Sequence, residues 1–287
     1  MYNLPRTYKE SNDLQGLIDD VDKTLETAYH RGSLTMQCFR SDPIDLSGHI
    51  RDTKERISGM DQNQALTYLI TCFSFRKSDE QSHVETIFDH ISMTQVDGEG
   101  RPLAHDQNYF ERQEYISRIE CAVKGILLPA HQEMYGNHKI APIAFEDLSK
   151  RSDFVPAGMK EVVAKGLFYG YNGDYETACY VLLPQLESIL RARLLAKGVV
   201  TRVKNADPLK EGEVGLSTLV GYCDQVFDEN ISYEMKRLFG SVPELNLRNE
   251  FLHGKLPDCN QSPWAFYIWW FILKQVCVGT LVDGNSD

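Results

Sequence analysis

Proline is scarce and glycine not enriched, 11 and 20 in 287 residues, and no low-complexity tract or fixed-period repeat is visible. A solenoid and a Pro/Gly-rich linker architecture are therefore excluded. The seven cysteines (Cys38, Cys72, Cys121, Cys179, Cys223, Cys259 and Cys277) include no C-x-x-C pair. An odd, unpatterned set reads as reduced, mostly buried thiols in a cytoplasmic protein. The first residues, MYNLPRTYKE, are polar, so no secretory signal is expected. Positive charge is short as well. Thirty Lys+Arg stand against 41 Asp+Glu, a net charge of -11, which excludes a globally cationic nucleic-acid coat protein. An RNA enzyme stays open, because phosphate affinity depends on a local patch rather than on the sum.

What is present is hydrophobic material in a helical rhythm. Hydrophobic residues make up 42% of the chain and aromatics 10%, enough to bury a core and to exclude wholesale disorder. Apolar positions recur at helical spacing, with no convincing run of alternating strands. The spacing predicts helices from Leu14 to Tyr29 and over 54–76, 82–94 and 108–135, with a turn at Gly98–Pro102. Loop residues and two prolines near 137–158 suggest a boundary, giving an N-terminal helical region at 1–140 and a C-terminal helical bundle at 141–287. In the second part helices are expected near 157–170, 174–197, 214–227, 231–240, 244–253 and from Pro263 onward. The fold class expected is all-α.

Two segments are unusual. Trp264 to Leu281 is nearly long enough to span a membrane, but it contains Lys274 and Gln275. A central lysine costs a spanning helix roughly 2.5–3.5 kcal/mol. A helix buried in a core or a dimer interface is the expected reading, without a membrane span. The helix near 174–197 keeps its apolar stripe straight through Pro184, where an interior proline costs about 3 kcal/mol and bends the axis. Glu187 and Arg191 stand four apart on it, in the favourable order. They read either as a surface ion pair or as a pair supporting a site behind the bend.

The most informative run is LNLRNEFLHGKL, residues 245–256. At about 100° per residue, Leu247 and Phe251 fall on one buried stripe and Arg248, Asn249 and His253 on the opposite arc. Gly254 follows as a left-handed cap. Arginine forks onto phosphate oxygens, an amide hydrogen-bonds a phosphate oxygen or a 2′-hydroxyl, and an imidazole moves a proton near neutral pH. That set suits a phosphodiester site. A helix ending in His-Gly beside a surface arginine is also common without any such role.

Arg248-Asn249-Glu250-Phe251-Leu252-His253-Gly254 resembles the R-x4-H signature of the HEPN superfamily, and more narrowly the RNxxxHG motif of one family of unknown function within it. Ser152-Asp153-Phe154-Val155-Pro156, Lys165-Gly166-Leu167 and Leu183-Pro184-Gln185-Leu186-Glu187 with Arg191 fit the same family, which is also similar to part of an endoplasmic-reticulum-associated RNA degradation protein. The resemblance covers roughly residues 150–280. It implies an all-α homodimer with the two motif helices facing across the twofold. The activity it implies is metal-independent RNA cleavage by attack of a 2′-hydroxyl on its own phosphate, with no cofactor. In that scheme His253 is general acid/base, Arg248 stabilises developing charge and Asn249 orients the phosphate. A toxin or phage-defence role, with an antitoxin or sensor as partner, goes with it.

Between Ile189 and Lys210 the basic residues Arg191, Arg193, Lys197, Arg202, Lys204 and Lys210 meet one acid, Asp207. Arg193, Lys197, Arg202 and Lys204 are the expected RNA contacts, against the plainer reading of a solvated face. His83, Asp89 and His90 lack further ligands for a metal site, and none is expected. The glycines of GLFYGYNGD read as close helix packing and a cap rather than a phosphate loop. Two rival readings remain: an RNA- or nucleotide-binding module without cleavage, and a helical interaction protein.

Overall fold

The computed structural model describes residues 14–35, 42–76, 93–96, 102–106, 108–204, 211–254 and 259–281. The class is all-α, with two short antiparallel hairpins. The chain divides into two units. The smaller, residues 1–43 and 87–109, holds α1 (Leu14–Thr35) and the hairpin of β1 (Met93–Val96) and β2 (Pro102–Asp106). The helix expected at 82–94 thus ends in a strand, with Thr94 paired to His105, while residues 82–92 lie outside the described residues. So do His83, Asp89, His90 and Gly98 to Arg101.

The larger unit, residues 44–86 and 110–287, corrects the expected division at 140. It contains α2 (Ser47–Ser58), α3 (Gln62–Thr71), α4 (Tyr109–Ala122, within this unit from Phe110) and α5 (Leu128–Asn137). It continues through α6 (Pro142–Arg151), α7 (Lys160–Tyr171), α8 (Tyr175–Ala196), β3 (Arg202–Lys204) and β4 (Glu211–Glu213). Last come α9 (Leu216–Leu219), α10 (Glu229–Phe239), α11 (Leu247–Leu252) and α12 (Pro263–Leu281). Ile57, Leu69, Tyr115 and Ile119 share one core with Leu182, Leu190, Trp269 and Trp270. Nearly half of the supposed boundary is α6, started by Pro142 in the first turn, where a missing N–H costs nothing.

The reason for the merger is α12. Its residues Ala265 to Leu273 are all at most 2% exposed, so it is apolar on every side. α3, α6, α7 and α8 all pack on it, and the C-terminal helices alone do not provide that cover. Trp270 donates to Leu69 O at 2.7 Å, an end carbonyl of α3, and Trp269 donates to Leu167 O at 3.0 Å. Lys274, the residue against a membrane span, donates to Phe73 O at 3.0 Å and lies over the Trp270 ring. From Ala265 to Leu273 the hydrophobic surface of α12 is met within the chain, the core alternative of the expected reading. No helix among the described residues is long and apolar enough to cross a membrane.

Local chemistry explains the other departures. The helix expected at 54–76 is two, because Asp61 starts α3 with a reciprocal capping box: its Oδ1 accepts from Asn63 N and Gln64 N, and Gln64 Oε1 accepts from Asp61 N. Between α4 and α5 lies a π-helical turn, Val123–Leu127, directly before Pro129, which cannot make the usual bond to the preceding turn. α8 runs unbroken through Pro184, which lies on the exposed side of the helix.

Candidate functional site

α11 is shorter than the sequence suggests. A cis Val242–Pro243 bond and Asn246 in the left-handed region (φ 47°) shape the approach to it. Two contacts to α10 hold that loop: Leu245 N donates to Arg237 O at 3.1 Å, and Arg237 Nη1 donates to Glu244 Oε1 at 3.2 Å. Leu247 and Phe251 bury the inner face at 3% and 0% exposure. Gly254, at φ +65°, closes the helix, and its N–H donates to Phe251 O at 3.0 Å.

On the other arc Arg248 and Asn249 are half-buried and His253 is exposed. Arg248 Nη1 donates to Asn249 Oδ1 at 3.1 Å, which occupies the amide oxygen and leaves the amide NH2 as the donor end. Arg248 Nη2 also lies 3.4 Å from Glu187 Oε2. The other carboxylate oxygen, Oε1, accepts from Arg191 Nη2 at 3.0 Å. Glu187 therefore bridges the two arginines and ties α8 to α11, two segments that the sequence separates by some sixty residues.

Arg191 has more to hold. Its Nη1 donates to Thr201 O at 3.3 Å and its Nη2 to Val214 O at 2.7 Å, the residues on either side of the β3–β4 hairpin. Its Nε lies 3.6 Å from Glu213 Oε2. Sequence reasoning missed this role, and it missed Glu213, because Glu211 and Glu213 follow directly after the basic run.

The expected RNA contacts have different surroundings. Arg193 donates to Asp153 O at 2.8 Å, and its guanidinium packs over the rings of Phe154 and Phe227. Burial pulls its pKa down, and Asp153 partly offsets that. It is half-buried at the edge of the fold. Lys197 is exposed at the end of α8. Arg202 pairs with Glu213 and Lys204 with Glu211 in the hairpin's backbone register. Lys210 and Asp207 lie outside the described residues.

Two other histidines have structural partners. His131 is enclosed by aromatic rings, with Nε2 3.0 Å from Tyr171 O and Nδ1 3.0 Å from Tyr175 Oη. A carbonyl only accepts, so Nε2 carries the proton and Nδ1 accepts from the tyrosine. Burial, against the Tyr171 carbonyl, pushes this imidazole down to about 4 and keeps it neutral. His138 Nε2 lies 3.0 Å from Met60 O. Among the described residues no three His, Cys, Asp or Glu side chains cluster in a way that could hold a metal ion. No protein-family profile, characterised protein or solved structure matches this chain.

Proposed function

We propose that this chain is an endoribonuclease of the HEPN type, cutting RNA without a metal at a site shared by two copies. The observation that carries the reading is the outer arc of α11, where a half-exposed arginine, an amide and an exposed histidine stand within one and a half turns. In the reaction a ribose 2′-hydroxyl attacks the adjacent phosphorus as its proton passes to an imidazole. The P–O5′ bond breaks, and the leaving O5′ takes a proton from a second imidazole. The products are a 2′,3′-cyclic phosphate and a 5′-hydroxyl. One His253 serves as base and the His253 of a second copy as acid, which is why the site needs two chains. Arg248 faces the charge that grows on the phosphoryl oxygens, and the Asn249 amide NH2 orients one of them. Proximity supplies much of the rate, because the nucleophile belongs to the substrate.

A second reading rests on charge. Glu187 neutralises part of Arg248, and Arg193 is engaged by the Asp153 carbonyl and the rings of Phe154 and Phe227. A site with so little free positive charge also suits a module that holds RNA or a nucleotide without cutting it. Labelled cellular RNA incubated in EDTA separates the two. The wild type should cut, leaving 2′,3′-cyclic ends. His253→Ala should abolish cutting with RNA binding nearly intact, and Arg248→Lys should recover little, because a point charge cannot replace the fork. Binding without cleavage by the wild type selects the second reading. Cleavage that dies in EDTA and returns with magnesium rejects the metal-independent chemistry.

A further inference from the structure

We propose that Arg191 is a positioning residue for Arg248: it occupies one oxygen of Glu187, so that the other stays a weak, exchangeable partner for the motif arginine. This rests on reading Arg248 as the phosphate-binding group.

The two arginines differ in how firmly they are held. Arg191 has Thr201 O, Val214 O and the carboxylates of Glu187 and Glu213 as partners, and its side chain is only 13% exposed. Two of those partners are backbone carbonyls flanking the hairpin, so Arg191 is built into the base of β3–β4. Arg248 is looser. It has the 3.4 Å contact to Glu187 Oε2 and the bond to Asn249, and its buried Nε–H has no acceptor among the described residues.

A guanidinium and a free carboxylate prefer two parallel hydrogen bonds. Arg248 cannot make that pair, because Arg191 already holds Oε1 at 3.0 Å. What remains is one longer contact, which a phosphate can displace by offering two oxygens to the fork. Glu187 is not then stranded, because Arg191 still neutralises it. A partly buried carboxylate with no partner would resist the exchange.

The two side chains should therefore move affinity in opposite directions. Without Arg191, Glu187 can take Arg248 with both oxygens and compete with RNA. Without the Glu187 charge, Arg248 is free for phosphate but less well placed for the chemical step. A purely structural role would weaken both properties in both variants.

The test measures binding of a short labelled single-stranded RNA in a His253→Ala background, and cleavage kinetics with His253 restored. Arg191→Met should bind roughly tenfold more weakly, the size of one charge-assisted hydrogen bond. Glu187→Gln should bind several-fold more tightly, with a salt slope steeper by about 0.7 for one added phosphate contact, and should turn over more slowly. The Arg191→Met/Glu187→Gln double variant should regain near wild-type binding. Should Arg191→Met fail to fold by circular dichroism, Arg191→Lys replaces it, with a smaller loss and the same rescue by Glu187→Gln. Arg191 variants that bind like the wild type, or a double variant weaker than the Arg191 variant alone, overturn the proposal. If the wild type still cleaves RNA in that case, the ribonuclease reading stands without it. If the wild type neither binds nor cleaves RNA, both fall.

Discussion

Glu234 lies wholly inside the larger unit, where Tyr267 Oη donates to its Oε1. Burial pushes this carboxyl up to about 7, against the Tyr267 hydrogen bond and the Lys274 charge, which pull it down. The sign of the pH effect follows. In the unfolded chain the group ionises near 4.5, so its stabilising contribution is complete below that pH and is lost as pH rises toward 7. Glu234→Gln keeps an acceptor for Tyr267 and never ionises. It should match the wild type near pH 4.5 and exceed it at pH 8 by roughly 3 kcal/mol, the distance from 4.5 to about 7 at ~1.36 kcal/mol per pH unit. Urea unfolding at the two pH values measures this, and equal stability of variant and wild type at pH 8 would reject it. His131 is held neutral by the same physics with the opposite sign, which suits a core position and separates it from the exposed His253.

At the scale of elements, α7 shows why two glycines interrupt an otherwise good helix. A Cβ on Gly170 would stand 2.1 Å from Trp269 Cδ1, and one on Gly166 would stand 2.6 Å from Leu182 Cδ2. These positions let α8 and α12 approach α7 closely, and Gly173 (φ +86°) ends the turn beyond it. Both roles were legible in the sequence, though not which partner each glycine admits. Gly170→Ala gains helix propensity but forces Trp269 out of the core, and overpacking of this kind costs about 1–3 kcal/mol. A Tm that rises or stays constant in Gly170→Ala would show that the indole yields without cost. α11 follows a different logic, since six residues cannot hold a helix by propensity alone. Its buried Leu247 and Phe251, and the Arg237–Glu244 anchor before it, keep it in place.

For the molecule as a whole, the interior position of α12 limits how two copies could meet. A twofold cannot be built on a helix already covered by α3, α6, α7 and α8. The composite site proposed above would instead need the α11 end at the axis, where His253 and Gly254 are exposed. Sedimentation at micromolar concentration should give a dimer, and His253→Cys should form a disulfide between protomers under mild oxidation. A monomer that still cleaves RNA would remove the shared site from the mechanism. The residues named at this site all belong to the larger unit.

The sequence by itself determined the helical class, the course of α8 through Pro184, the buried pair on α11 and the glycine that ends it. Each depends on a periodicity or a cap contained within one or two turns, so a local window is enough to read it. The unit boundary, the fate of the basic run and the sharing of Glu187 were decided only in the tertiary structure. Trp270 finds its acceptor at Leu69, 201 residues away, and Glu187 meets Arg248 across two helices. Arg193 looks like its basic neighbours in the sequence, yet its guanidinium lies over the rings of Phe154 and Phe227. A charged side chain has no local mark of whether distant chain will bring it water, a ring or a counter-ion, and that choice sets whether its charge is free to bind a ligand.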